Sequence, residues 1–232
     1  MGLGGGFILV PILSLVLGFS MKDAVFLSLC SVFFLSILQN LVNREIILNN
    51  RKPLLRLSFF AVIGSGVAAW VGTRTPDVII SIAFAIFLLS FGAFFWRSPG
   101  DLLAGVSTKY RQGSADFLMI LAGISSGFFG IGGGIITVPV LHHFLLYPMK
   151  ESAKLSFFVQ FFATGIGLLV YYHSRKEVIY ELPPSTLLFL LFGSLAGMLL
   201  SRRVKITNEN LKKLFAILLI GVGTWKLISV LS

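Results

Sequence analysis

The sequence predicts an all-α polytopic membrane protein built from two internal repeats, and three observations predict it. Of its 232 residues, 56% are apolar and 12% charged, with a mean hydropathy of +0.93; soluble chains carry about a quarter charged residues. Mostly apolar, uncharged runs recur at 24–42, 57–72, 78–96, 117–147, 155–172, 186–200 and 214–225. Several reach or approach the roughly 18–20 residues an α-helix needs to cross about 30 Å of hydrocarbon. Finally, shifting the chain by 128 positions lays 2–28 on 130–156 with 13 of 27 positions identical.

Each copy opens on the string G-[LI]-GGG-x-I-x-VP, at 2–11 and again at 130–139. Three consecutive glycines hold a helix poorly, each costing about 1 kcal/mol against alanine, but they allow positive φ and close approach of the main chain. A break is therefore expected at Gly4, Gly5 and Gly6, and another at Gly132, Gly133 and Gly134. Non-helical backbone at membrane depth is tolerated only where it is buried in protein or lines a wet cavity. Bare N–H groups at a restarting helix N-terminus then make a site for an anion. Pro11 and Pro139 are expected to kink the outgoing half-helix or free a carbonyl. Packing is the competing account of the glycines. It suits the GxxxG spacings at 123–127 and 193–197 better than it suits a triplet. A dinucleotide fingerprint has different spacing and belongs to a soluble βαβ unit.

The polar segment 97–116 joins the copies, giving repeats over 1–108 and 109–232 of a single membrane domain. Copy two enters its glycines through 116–129, whereas Met1 aligns with Phe129. The duplication thus leads one to expect a further apolar half-helix upstream of Met1, which mass spectrometry of the native N-terminus would check. If every long run crosses once, the 19 Lys and Arg divide about evenly between the two sides. If each glycine segment instead dips in and returns, connections 43–56, 97–116, 148–154 and 201–213 share a side and hold 14 of them. The positive-inside bias favours the second arrangement. It gives inverted repeats, each with a Gly-rich re-entrant or broken helix plus three transmembrane helices.

On the helix after the first glycines, Ser28, Ser31, Ser36, Gln39 and Asn43 fall within an arc of about 140°. On its counterpart, Ser156, Gln160 and Thr164 fall within about 80°. A polar stripe on a membrane helix faces protein or water. Two readings stand side by side: donors to an anion, with Ser28, Ser156 and Gln160 nearest the glycines, or interhelical hydrogen bonds averaging about 0.6 kcal/mol. Cys30 reads as a small core residue, and one cysteine cannot form an internal disulfide. His142 and His143 are adjacent and point about 100° apart, so they cannot share a metal as an i, i+4 pair could. Asp23 and Glu151 sit where a helix N-terminus favours an acid. No cleavable signal peptide is evident.

The net charge of +10 follows from Lys and Arg in the connections, so no nucleic-acid partner is expected. No cofactor or metal is called for. Internal repeats of this size in a helical membrane protein are the mark of a transporter. The partners expected are a small anion and the lipid bilayer, with homo-oligomerisation left open. A membrane-embedded enzyme or a non-transporting subunit is the alternative.

The twin glycine motifs, each followed by M-K-[DE]-[AS] and a serine on the next helix, resemble the TauE/SafE sulfite exporters, also called the toluene sulfonate uptake permease family. The resemblance covers nearly the whole chain. It implies a multi-pass permease of the bacterial or archaeal cytoplasmic membrane, not an enzyme, that carries sulfite, sulfonates or related organic anions. Access would alternate by rocking one copy against the other.

Overall fold

The computed structural model describes residues 5–97 and 111–174, with 192, 193, 195, 217, 219–226 and 228 beyond them. Its elements are helices: α1 (Gly6–Pro11), which runs on as a π-helical turn (Ile12–Val16), α2 (Met21–Val42), α3 (Arg44–Asn49), α4 (Arg51–Arg74), α5 (Asp77–Arg97), α6 (Arg111–Phe129), α7 (Gly134–His143) and α8 (Met149–Ser174). No strand occurs among the described residues. The predicted run at 186–200 lies largely outside them, as do positions 214–216 and 218 of the run at 214–225, and Gly4.

Three of these helices, α2, α4 and α8, are long and apolar enough to cross a membrane. On α4 the outward stripe is Leu55, Phe59, Ile63, Val67 and Trp70, all exposed. Its inward face carries the small residues Ala61, Gly64, Ser65, Ala68 and Gly72. Apolar outside and small inside is the pattern of a helix whose solvent is lipid and whose neighbours are helices. At its C-terminal end the Arg74 guanidinium lies 4.0 Å over the Trp70 ring, a pair suited to the membrane interface.

α4 makes its most extensive contact with α6. There a Cβ added to Gly123, Gly127 or Gly64 would strike the backbone carbonyl of Ala61, Ser65 or Ile120 respectively. The GxxxG at 123–127 therefore serves packing, as its spacing predicts. Ser65 Oγ also donates to the Ala163 carbonyl of α8 at 2.6 Å.

Both glycine strings lead into a helix start through a left-handed glycine. Gly133 has φ of 73° and begins α7, where the Ile136 and Thr137 amides donate to its carbonyl at 3.1 and 3.0 Å. Gly5, 128 positions earlier, also has φ of 73°, and the Ile8 and Leu9 amides donate to its carbonyl at 3.1 Å. Only glycine holds this left-handed conformation without a steric cost. After its break α7 doubles back along α6. It starts beside Ala122, and Phe144, Leu145 and Tyr147 at its far end line one cavity with Ala115 and Asp116 near the start of α6. The prolines act unequally: Pro11 leads into the π-helical turn, whereas α7 continues through Pro139 to His143.

The two ends of α4 receive different neighbours. At its N-terminal end Arg56 pairs with Asp116 at 2.5 Å, beside the loop that leaves α7. At its C-terminal end stands Asp77, which opens α5, accepts from the Met21 amide at 2.8 Å and lies 3.7 Å from Lys22 Nζ. That is where the loop leaving α1 arrives. Twenty-four residues of helix separate these ends, about 36 Å at 1.5 Å per residue.

Candidate functional site

The breaks meet. A Cβ on Gly6 would lie 2.5 Å from the Gly130 carbonyl oxygen and 2.9 Å from Ile131 Cα, so only hydrogen at position 6 lets copy one touch the break of copy two. Ser28 Oγ, fully buried on α2, donates to that same Gly130 carbonyl at 2.7 Å. Gln160 on α8 sets its side-chain oxygen 3.2 Å from where a Cβ of Gly132 would stand. Its Nε2 donates to Ser156 Oγ at 3.1 Å, and Ser156 donates to the Ala153 carbonyl at 2.9 Å. The structure thus gathers Gly6, Ser28, Gly132 and Gln160 around one junction. Gly133 and Gly134 form the adjoining start of α7, Ser156 joins through Gln160, and Gly5 caps α1.

The rest of the polar stripe is turned on its own helices. Ser31 Oγ donates to Leu27 O at 3.1 Å, Ser36 to Phe33 O at 2.7 Å and Thr164 to Gln160 O at 2.7 Å. These are local back-bonds, which a Ser or Thr in a helix makes when nothing else competes. Asp23 and Ser20 form a reciprocal cap at the start of α2: the Asp23 amide donates to Ser20 Oγ at 3.2 Å, and the hydroxyl bonds the Asp23 carboxylate. His142 Nδ1 lies 2.8 Å from the Tyr147 carbonyl and anchors the loop after α7.

What the junction offers chemically is donors. Among the described residues no backbone acceptor meets the amides of Gly132, Gly133, Gly134 and Ile135, and all four residues are buried. Consecutive N–H groups at the start of a helix carry its positive end. Ser126, one turn before Gly130, is fully buried and its hydroxyl has no protein partner. The sequence gives no sign of this, because Gly123 and Gly127 flank the serine with a packing spacing. The junction is closed in this structure, with Gly132 against Val32 and Gly133 against Ala122. No group of three His, Cys, Asp or Glu among the described residues is placed to hold a metal.

A cavity of about 480 Å³ opens at the N-terminal end of α4, lined by Lys52, Arg56, Asp116, Phe144 and Tyr147 among others. Tyr147 Oη donates to Asn50 Oδ1 at 2.8 Å. Burial, and then the Glu151 charge, push the Tyr147 phenol above its ordinary pKa, so it remains a neutral donor. The sequence missed this cavity because Arg56 and Asp116 are 60 residues apart.

With this geometry in place, the comparisons are specific. The sulfite exporter TauE/SafE family model matches residues 1–225. The chain belongs to the TauE/SafE family. The curated "probable membrane transporter protein" of Methanocaldococcus jannaschii is 28% identical over 185 residues, covering 76% of this chain and 67% of that protein. No solved structure matches. A TauE/SafE chain with three described membrane-length apolar helices is a membrane transporter.

Proposed function

We propose that this TauE/SafE protein is a secondary permease of the cytoplasmic membrane, not an enzyme, and that it moves small sulfur-containing or organic anions of the sulfite and sulfonate class. The anion is held by backbone N–H groups of the two glycine breaks. The observation that carries this reading is the set of buried amides from Gly132 to Ile135 with no backbone acceptor among the described residues. A buried unsatisfied donor costs about 1–3 kcal/mol. Four at one helix start are a standing cost that an anion's oxygens would offset, and the helix dipole there favours negative charge. Gly133 and Gly134 supply the turn, Ser28 fixes its carbonyl side, and Gln160 and Ser156 border it. Gly5 and Gly6 bring the opposing break against it, with Gly4 preceding them.

Three features support inverted repeats with re-entrant glycine segments. Gly5 and Gly133 take the same φ at corresponding positions, and α7 returns to the end at which α6 began. The loops leaving α1 and α7 also lie at opposite ends of α4, as two copies of opposite orientation require. Because the junction is closed, loading needs the breaks to part.

The test is uptake into proteoliposomes of sulfite, sulfoacetate, taurine and simple carboxylates. Wild type is expected to carry at least one of them. Gly133→Leu is expected to insert and carry none, because the added side chain meets both a left-handed backbone and the Ala122 carbonyl 2.6 Å from its Cβ. Transport by Gly133→Leu at the wild-type rate would overturn the reading.

A further inference from the structure

The cavity at the N-terminal end of α4 is separate from the glycine junction, and its lining is unusual in three respects. Lys52 and Arg56 are one turn apart on one face of the helix and both border it. Like charges at this spacing repel. They also sit with Arg51 at the start of α4, where the first turn contains no acid and the dipole favours anions over cations. Lysines and arginines on this side are accounted for by the positive-inside bias, but that bias does not ask two of them to share a cavity. Asp116, 8% exposed, is the carboxylate in the lining and bonds Arg56. Lys52 is exposed and makes no ion pair among the described residues. Among the described residues the lining thus carries two cations against one anion. At ~30 Å³ per water, the volume holds roughly fifteen waters, so an oxyanion could enter with much of its hydration intact.

We propose that this cavity is an anion-collecting vestibule, in which Lys52 and Arg56 bind a small hydrated oxyanion before it reaches the glycine junction. Asp116 is a positioning residue that holds Arg56 at the wall. The Tyr147 hydroxyl, already turned to Asn50, borders the same space. Phe144, Leu145 and Tyr147 follow α7, whose first residues form the glycine junction, so one short helix links the two places. The vestibule deepens the carrier reading and rests on it for its purpose, though its charge and volume stand independently.

Lys52 is exposed, so Lys52→Gln is expected to fold normally, and Lys52→Arg serves as the charge-keeping control. The probe is sulfite, followed by equilibrium binding to purified protein and by transport in proteoliposomes at low ionic strength. Lys52→Gln is expected to raise KM at least five-fold with kcat within two-fold of wild type, and Lys52→Arg to restore it. The difference should shrink in about 0.5 M salt, where screening falls to a few ångströms. An unchanged KM in both Lys52→Gln and the Lys52→Gln/Arg56→Gln double variant, with wild type transporting, overturns the vestibule and leaves the carrier. Sulfite binding that depends on Lys52, with wild type transporting none of sulfite, sulfoacetate, taurine and simple carboxylates, upholds the vestibule and removes the carrier reading. Neither sulfite binding nor transport of any of these overturns both.

Discussion

At the scale of single residues, Ser28 and Ser126 show how alike hydroxyls differ in task. Ser28 gives its proton to the Gly130 carbonyl inside a dry junction. Ser28→Ala would leave that carbonyl unpaired, and a loss of about 1–3 kcal/mol is expected, read as a lower Tm in detergent. Ser126 has no protein partner, so Ser126→Ala should leave Tm unchanged or raise it while lowering anion uptake; a fall in Tm with intact uptake would assign it to packing. Neither role could be read from the sequence. Polarity at position 28 showed only that the residue faces protein, and its partner lies 102 residues away. The left-handed turns, by contrast, were legible, because a glycine triplet in an apolar run has few other uses.

At the scale of elements, the α4–α6 pair rests on absent side chains. Gly64, Gly123 and Gly127 each face a carbonyl of the opposite helix at a separation no Cβ would fit. Gly127→Val is therefore expected to force the helices apart at a cost of about 1–3 kcal/mol or more. Reduced thermal stability with little residual folded protein would show it, whereas Gly113→Ala, where nothing lies near, should be silent. The GxxxG spacing announced a contact but not its partner, since α4 meets it with Ala61 and Ser65, at the same four-residue spacing but without the glycines that mark the motif. The unequal effect of Pro11 and Pro139 was also hidden: the motifs around them match, and the π-helical turn follows only Pro11.

At the scale of the whole molecule, the proposed inverted arrangement can be tested by sidedness. The loops at opposite ends of α4 lead to a direct check in a Cys30→Ser background. Phe19→Cys and Tyr147→Cys, in the loops after α1 and α7, are expected to react with a membrane-impermeant thiol reagent from opposite sides of sealed vesicles; labelling from the same side would argue for parallel copies. The helical class and the membrane-length helices could be read from hydropathy. How the helices interlock could not, because identity between two stretches of sequence says nothing of their contacts. That interlocking bears on motion. With α4 seated carbonyl-against-glycine on α6, and Ser65 fastened to α8, swinging α4 away from these two helices would tear a seam with no side chain to cushion it. Any rearrangement that leaves α4, α6 and α8 together is the cheaper one.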